Sequence, residues 1–227
     1  NVVVVIANDI DLAASTVTGN YTLTAGGSIT DSGALAITGV TTIDASSGNV
    51  TLDTTTNNFQ GAVKIDGVNV TVVDAGAIAL GASTVSGTYT VTATSGGGIT
   101  DRGVLTITNG ATFKVAGGQS ISLNQANTFS STVTFTPLSG TITAVTIRDS
   151  NALDLKALTT TGDLTVTAGG AVTQTGTLVI PGTTTISASG YAVTLGDSSN
   201  NFGTLAITGA NVTATDTNAI ILGASTV

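Results

Sequence analysis

A nine-residue phrase returns three times along this chain, and its spacing constrains the fold more than any other feature. DIDLAASTV at 9–17 comes back as AIALGASTV at 77–85, ALDLKALTT at 152–160 and AIILGASTV at 219–227, in steps of 68, 75 and 67 residues. Self-similarity at a fixed long period marks architectures in which each unit covers its neighbour's apolar face. Residues 1–227 therefore read as one solenoid segment with internal repeats 9–76, 77–151 and 152–218, and 219–227 starting a fourth.

Within the repeats the strand phases agree. Tyr21 and Leu23 alternate with Thr22 and Thr24, and the matching positions are Tyr89 and Val91, then Leu164 and Val166. Leu35 and Ile37 match Leu105 and Ile107, and Leu178 and Ile180. Period-two alternation is the pattern of a half-buried strand. The charged residues Asp11, Asp53, Lys64, Asp66, Lys114, Arg148, Asp154 and Lys156 fall on the outward phase, as a dry interior requires. Turn signals such as TGN at 18–20, AGG at 25–27 and SSGN at 46–49 separate roughly eight strands per repeat. A propeller blade needs about 40–50 residues, and a sandwich would not reproduce the same phases three times. The reading is all-β: a parallel β-helix with three faces and about three coils in each 67–75-residue repeat, ten coils spanning roughly 45–50 Å at about 4.8 Å per strand.

Composition supports strands and narrows the partners. Thr is roughly a fifth of the residues, Glu, His, Cys, Met and Trp are absent, and 13 Asp stand against five basic residues for a net charge of −8. β-Branched Thr and Val suit a pleated surface. The five scattered cations form no basic patch, which argues against nucleic acid and anionic membranes. Val2–Ala7 is the longest apolar run, far short of the eighteen or so residues that cross a bilayer. Without cysteine there is neither a disulfide nor a thiolate metal site, so fold and stability are expected to need no metal and no cofactor. The chain starts at Asn1 with no leader-like segment, which reads as an excerpt or a processed product.

Candidate chemistry is sparse. Asp101 with Arg102, Arg148 with Asp149, Lys64 with Asp66, and Asp154 with Lys156 are the nearest acid–base constellations. Two of them are i, i+2 pairs on an outward strand face, where solvated ion pairing is the plain reading. A general acid tuned to neutrality would have to be a perturbed Asp, since His, Cys and Glu are missing. GGSITD at 26–31 and GGGITD at 96–101 only brush against a calcium-binding nonapeptide and read as turns. Asn20, Asn49, Asn69 and Asn211 open Asn-x-Thr sequons, which mark exposed positions. Phe59, Phe129 and Phe202 close equivalent Asn-x-Phe triplets that read as turns with the ring plugging a corner.

Threonine arrays on solenoids can order water and bind ice, but such an array must recur once per coil. Thr22 and Thr24 return at Thr90 and Thr92 and at Thr165 and Thr167, once per repeat, and Asp44 and Ser46 hold the neighbouring positions one coil on. The second repeat carries seven or eight surplus residues, at 92–98 and at 136–151, the latter holding Pro137, Arg148 and Asp149. Insertions in solenoids bulge as loops, and loops concentrate binding residues, so these three are the candidate contact loop; drift in a tolerant turn is the plainer alternative.

GDLTVTAGGAVTQTGTLVIPGTTTISASG at 162–190, with NNF at 57–59 and 200–202, resembles the repeats of filamentous-haemagglutinin-like and autotransporter-type bacterial exoproteins. The resemblance covers nearly the whole chain. It implies a right-handed parallel β-helix, an extracellular or cell-surface location, and a non-enzymatic role as stalk or adhesive fibre. Open ladder edges invite pairing, so further copies of the chain, end to end or side by side, are expected partners, and the adhesive role adds host-cell or matrix glycans. A β-helix protein that binds or degrades polysaccharide is the alternative, and three acids converging in one groove would favour it.

Overall fold

The computed structural model describes all of residues 1–227, and they form strands and turns without a helix. Every strand pairing is parallel, and the chain winds through about eleven turns of a β-solenoid. Three ladders make its faces. One stacks Val2–Ile6, Tyr21–Ala25, Thr41–Ala45 and Ala62–Gly67. The second stacks Ile10–Leu12, Ile29–Asp31, Val50–Leu52 and Val70–Asp74. The third stacks Ser15–Val17, Leu35–Ile37 and Asn58–Phe59.

The inward positions of all three faces merge into one core of 53 buried residues. Equivalent side chains meet one coil apart because a parallel ladder stacks like on like. Phe113 lies at the aromatic centre: Tyr89 and Phe129 meet it edge-on at 6.2 and 6.1 Å, and Phe135 stacks on it at 6.0 Å. The eight charges on the outward phase are exposed or half-buried, and two of the expected pairs form, Lys64–Asp66 at 3.2 Å and Lys156–Asp154 at 2.7 Å.

Strand number sets a relation between repeats that the alternation does not show. The first repeat contains ten strands, from Ile10–Leu12 to Val70–Asp74, because short corner pieces such as Asn58–Phe59 join the ladders. Ten strands on three faces make three and a third turns. Each repeat therefore begins one face further round than the last. Tyr21–Ala25 stands on Val2–Ile6, whereas its equivalent Tyr89–Ala93 stands on Val70–Asp74, in the ladder founded by Ile10–Leu12. Leu164–Ala168 stands on Val145–Asp149, in the remaining ladder, above Ile121 and Ile99.

The two end coils carry the solenoid's apolar edges. Val2, Val3 and Val5 are exposed at one end, and Ile221, Leu222 and Val227 at the other. At that second end Leu205, Ile207, Val212 and Leu222 line an apolar hollow of about 250 Å³.

Candidate functional site

The most regular polar feature is a buried clasp, not an open cleft. Asn57 donates from Nδ2 to Asp31 Oδ2 at 2.6 Å, and its Oδ1 accepts the Leu35 N–H at 2.8 Å. One repeat later Asn127 bonds Asp101 at 2.8 Å and Leu105 N–H at 2.8 Å. In the third, Asn200 bonds Gln174 Oε1 at 3.0 Å and Leu178 N–H at 2.9 Å. A second acid holds each triplet from the following coil: Asp74 accepts Phe59 N–H at 2.7 Å, Asp149 accepts Phe129 N–H at 3.2 Å, and Asp216 accepts Phe202 N–H at 3.1 Å. The three Phe rings are buried, as expected of a corner plug. Most polar groups of the clasp answer a side chain or backbone group across a coil, which is a structural task; the Oδ2 atoms of Asp149 and Asp216 are buried without a partner.

This arrangement corrects the proposed contact loop. Asp149 is only 2% exposed, while Arg148 beside it faces solvent. Val145–Asp149 is an ordinary ladder strand between Ile121–Leu123 and Leu164–Ala168, since its V-T-I alternation pairs like the rest. Pro137 ends a strand in a different ladder, so the three residues do not converge. The surplus of the second repeat is confined to Leu138–Ala144 and to the turn at Gly97 and Gly98, whose φ values of 127° and 73° require glycine. Asp101, named beside Arg102 as an acid–base constellation, is likewise buried in its clasp.

Burial pushes the Asp74 and Asp149 carboxyls above the usual carboxylate range, partly offset by the backbone N–H groups they accept. Asp154 runs the other way. Against the desolvation that would raise it, Lys156, Thr175 and Thr173 hold it below its ordinary value. No group of three acidic side chains stands close enough to hold a metal ion.

The outward faces carry a pattern that the repeat comparison had argued against. Thr22 pairs with Thr42, and Thr24 with Asp44. On the second ladder Thr30, Thr51, Thr71, Thr90, Thr112 and Thr134 stand directly above one another, one per coil, crossing the boundary between repeats. The one-face advance produces this row by placing unlike parts of successive repeats in the same ladder. The file beside it, Val73, Thr92, Lys114 and Thr136, is mixed.

One ladder is interrupted. In the first repeat Gly81 N–H donates to Val63 O at 2.7 Å, and Ser83 Oγ accepts Ile65 N–H at 3.0 Å. In the third, Gly223 N–H donates to Leu205 O at 2.9 Å, and Ser225 Oγ accepts Ile207 N–H at 3.1 Å. In the second repeat the corresponding strand is Val133–Pro137, and Lys156 and Leu158 stand where Gly and Ser stand elsewhere. Above that strand only Val133 finds a ladder partner, Leu155. A groove of about 320 Å³ opens there, lined by Thr134, Phe135, Thr136, Pro137, Thr141 and Leu158. Its signal in the sequence was the replacement of Gly and Ser by Lys156 and Leu158 within the marker phrase, next to a surplus segment.

The chain belongs to the DUF5649 family, described as repeats of unknown function, which matches residues 1–66, 67–136 and 142–208. No curated protein and no solved structure matches it.

Proposed function

We propose that the chain is a structural and adhesive segment of an extracellular bacterial fibre. The observation that carries this reading is the stacking of about eleven turns over one continuous core, with buried polar side chains holding coil to coil. Parallel ladders make a stiff rod, and outward rows repeated at each coil give many weak contacts whose avidity exceeds any one of them. The one-face advance distributes equivalent contacts around the rod rather than along one side. The apolar edges at both ends suit continuation by further coils, in a longer array or by end-to-end association of copies. The resemblance to filamentous-haemagglutinin-like repeats supports the surface location.

A polysaccharide-binding or polysaccharide-degrading protein is the second reading, favoured by the groove at Phe135. The test joins residues 9–227 directly after residues 1–218, in register because 219–227 repeat 9–17, and compares the product with the single segment. A rod of doubled length in electron micrographs, with more than doubled retention on matrix-coated surfaces and no shortening of polysaccharides, is expected. Unchanged length, or cleavage of a polysaccharide, would overturn the fibre reading.

A further inference from the structure

We infer that the groove above Val133–Pro137 binds a neutral saccharide unit, one of whose hydroxyls takes the place that Ser83 and Ser225 fill in the other repeats. This rests on the adhesive part of the reading above and is independent of rod formation. Alternate residues of a parallel strand send their N–H groups to opposite neighbours. Leu138 N–H donates down to Val115 O at 2.7 Å, so the N–H of Phe135, three residues earlier, points up into the groove. Its equivalents on Ile65 and Ile207 each meet a serine hydroxyl at 3.0 and 3.1 Å. Leu158 offers no acceptor there.

Across the groove the Leu158 and Thr160 N–H groups are taken by Thr177 O at 3.0 Å and Val179 O at 3.1 Å in the coil above, which turns the Thr159 N–H down toward the same space. The opening therefore offers inward-directed backbone donors, a rim of threonine hydroxyls at 134, 136 and 141, and apolar walls from Phe135, Pro137 and Leu158. A sugar ring presents that combination, with hydroxyls at its edge and C–H groups on its faces. No charged residue lines the groove, which selects a neutral ligand. Lys156, next in sequence to the lining residue Ala157, is occupied by Asp154 at 2.7 Å and Thr175 at 2.8 Å. The volume lies at the small end of ligand pockets, about 300–1,000 Å³, and suits one or two rings.

The experiment follows backbone amide resonances of the intact chain while cellotriose, maltotriose, mannotriose and chitotriose are each added to millimolar concentration. At least one is expected to move the Phe135 and Thr159 amides and leave Thr71 and Thr165 unmoved. Leu158→Ser, which restores the closing residue of the other repeats, is expected to keep the fold and weaken that response about tenfold or more. Phe135→Ile, the residue found at positions 65 and 207, serves as a second folded variant and should weaken it as well. Absence of any local shift with all four sugars, or an undiminished response in Leu158→Ser, would overturn the inference. Neither result bears on rod length, which tests the fibre separately.

Discussion

Asn127 reaches back 26 residues to donate a hydrogen bond to the buried carboxylate of Asp101 at 2.8 Å. Its other side-chain atom accepts the Leu105 N–H, so one amide closes two coils. Asn127→Ala strands the buried Leu105 N–H and takes one of three donors from Asp101, which keeps the Asn124 and Gln125 N–H groups; at about 1–3 kcal/mol for the stranded group, it should lower the melting temperature by roughly 2–12 °C in a chain of this size. Asp101→Gln reproduces the pair that the third repeat forms between Gln174 and Asn200 and should cost much less. Calorimetry of both variants checks the contrast; equal losses would mean that the clasp is not a pairwise device.

Asp74 and Asp149 occupy equivalent places but use their oxygens differently. Asp74 accepts Phe59 N–H on Oδ2 and Gly76 N–H on Oδ1, at 2.7 and 2.6 Å. Asp149 accepts both Phe129 and Asn151 N–H on Oδ1, and its buried Oδ2 has no partner. Asp149→Asn keeps the working oxygen and removes a buried charge, so stability should hold or rise. Asp74→Asn sets an amide against a backbone N–H and should cost about 1–3 kcal/mol. Denaturant midpoints of the two variants are the check.

The same acids fix the sign of the pH dependence. Raised values in the folded chain mean that it binds these protons more tightly than the unfolded chain does. Their contribution is therefore present in acid and lost as pH rises through the unfolded and then the folded value. Asp154 and Asp197 are lowered, Asp197 chiefly by the Ser199 N–H, and their contribution is present above the unfolded value and lost as pH falls through the folded one. From neutrality down to about pH 5, above the ordinary Asp value near 3.9, the melting temperature should hold or rise. The part of any rise due to residue 149 should vanish in Asp149→Asn.

The alternation of Tyr21, Leu23, Ile43 and Ile65 with polar neighbours was legible directly, because a strand's side chains report its two faces within five residues. The clasp was not. Asp31 and Asp101 end I-T-D strings that read as turns, and what buries them is a backbone and an amide more than twenty residues away. The one-face advance escaped for a related reason: it depends on whether two-residue corner pieces such as Asn58–Phe59 count as strands. Taken as turns, they leave a repeat of about three coils, and Thr30, Thr71 and Thr112 then appear unrelated.

Glycine at the corners follows from coil spacing. A Cβ on Gly61 would lie 2.1 Å from Gly39 O, whereas one on Gly96 would meet nothing within 4 Å. Gly61→Ala should cost about 1–3 kcal/mol by overpacking against backbone, and Gly96→Ala should be close to neutral. Thermal melts of the pair decide this, and equal tolerance would contradict the corner geometry.

The advance of one face per repeat is tested most directly by cross-linking outward positions. Thr90 stands on Thr71 across the repeat boundary, one strand spacing of about 4.8 Å away and within the Cα range of a disulfide, about 4.4–6.8 Å. If repeats stacked after a whole number of coils, Thr90 would instead stand on Lys64, whose strand follows Thr41–Ala45 in the Tyr21 ladder. The cysteine pair Thr71→Cys with Thr90→Cys should oxidise readily within one chain, while Lys64→Cys with Thr90→Cys should remain reduced. Ready oxidation of the second pair and not the first would contradict the account.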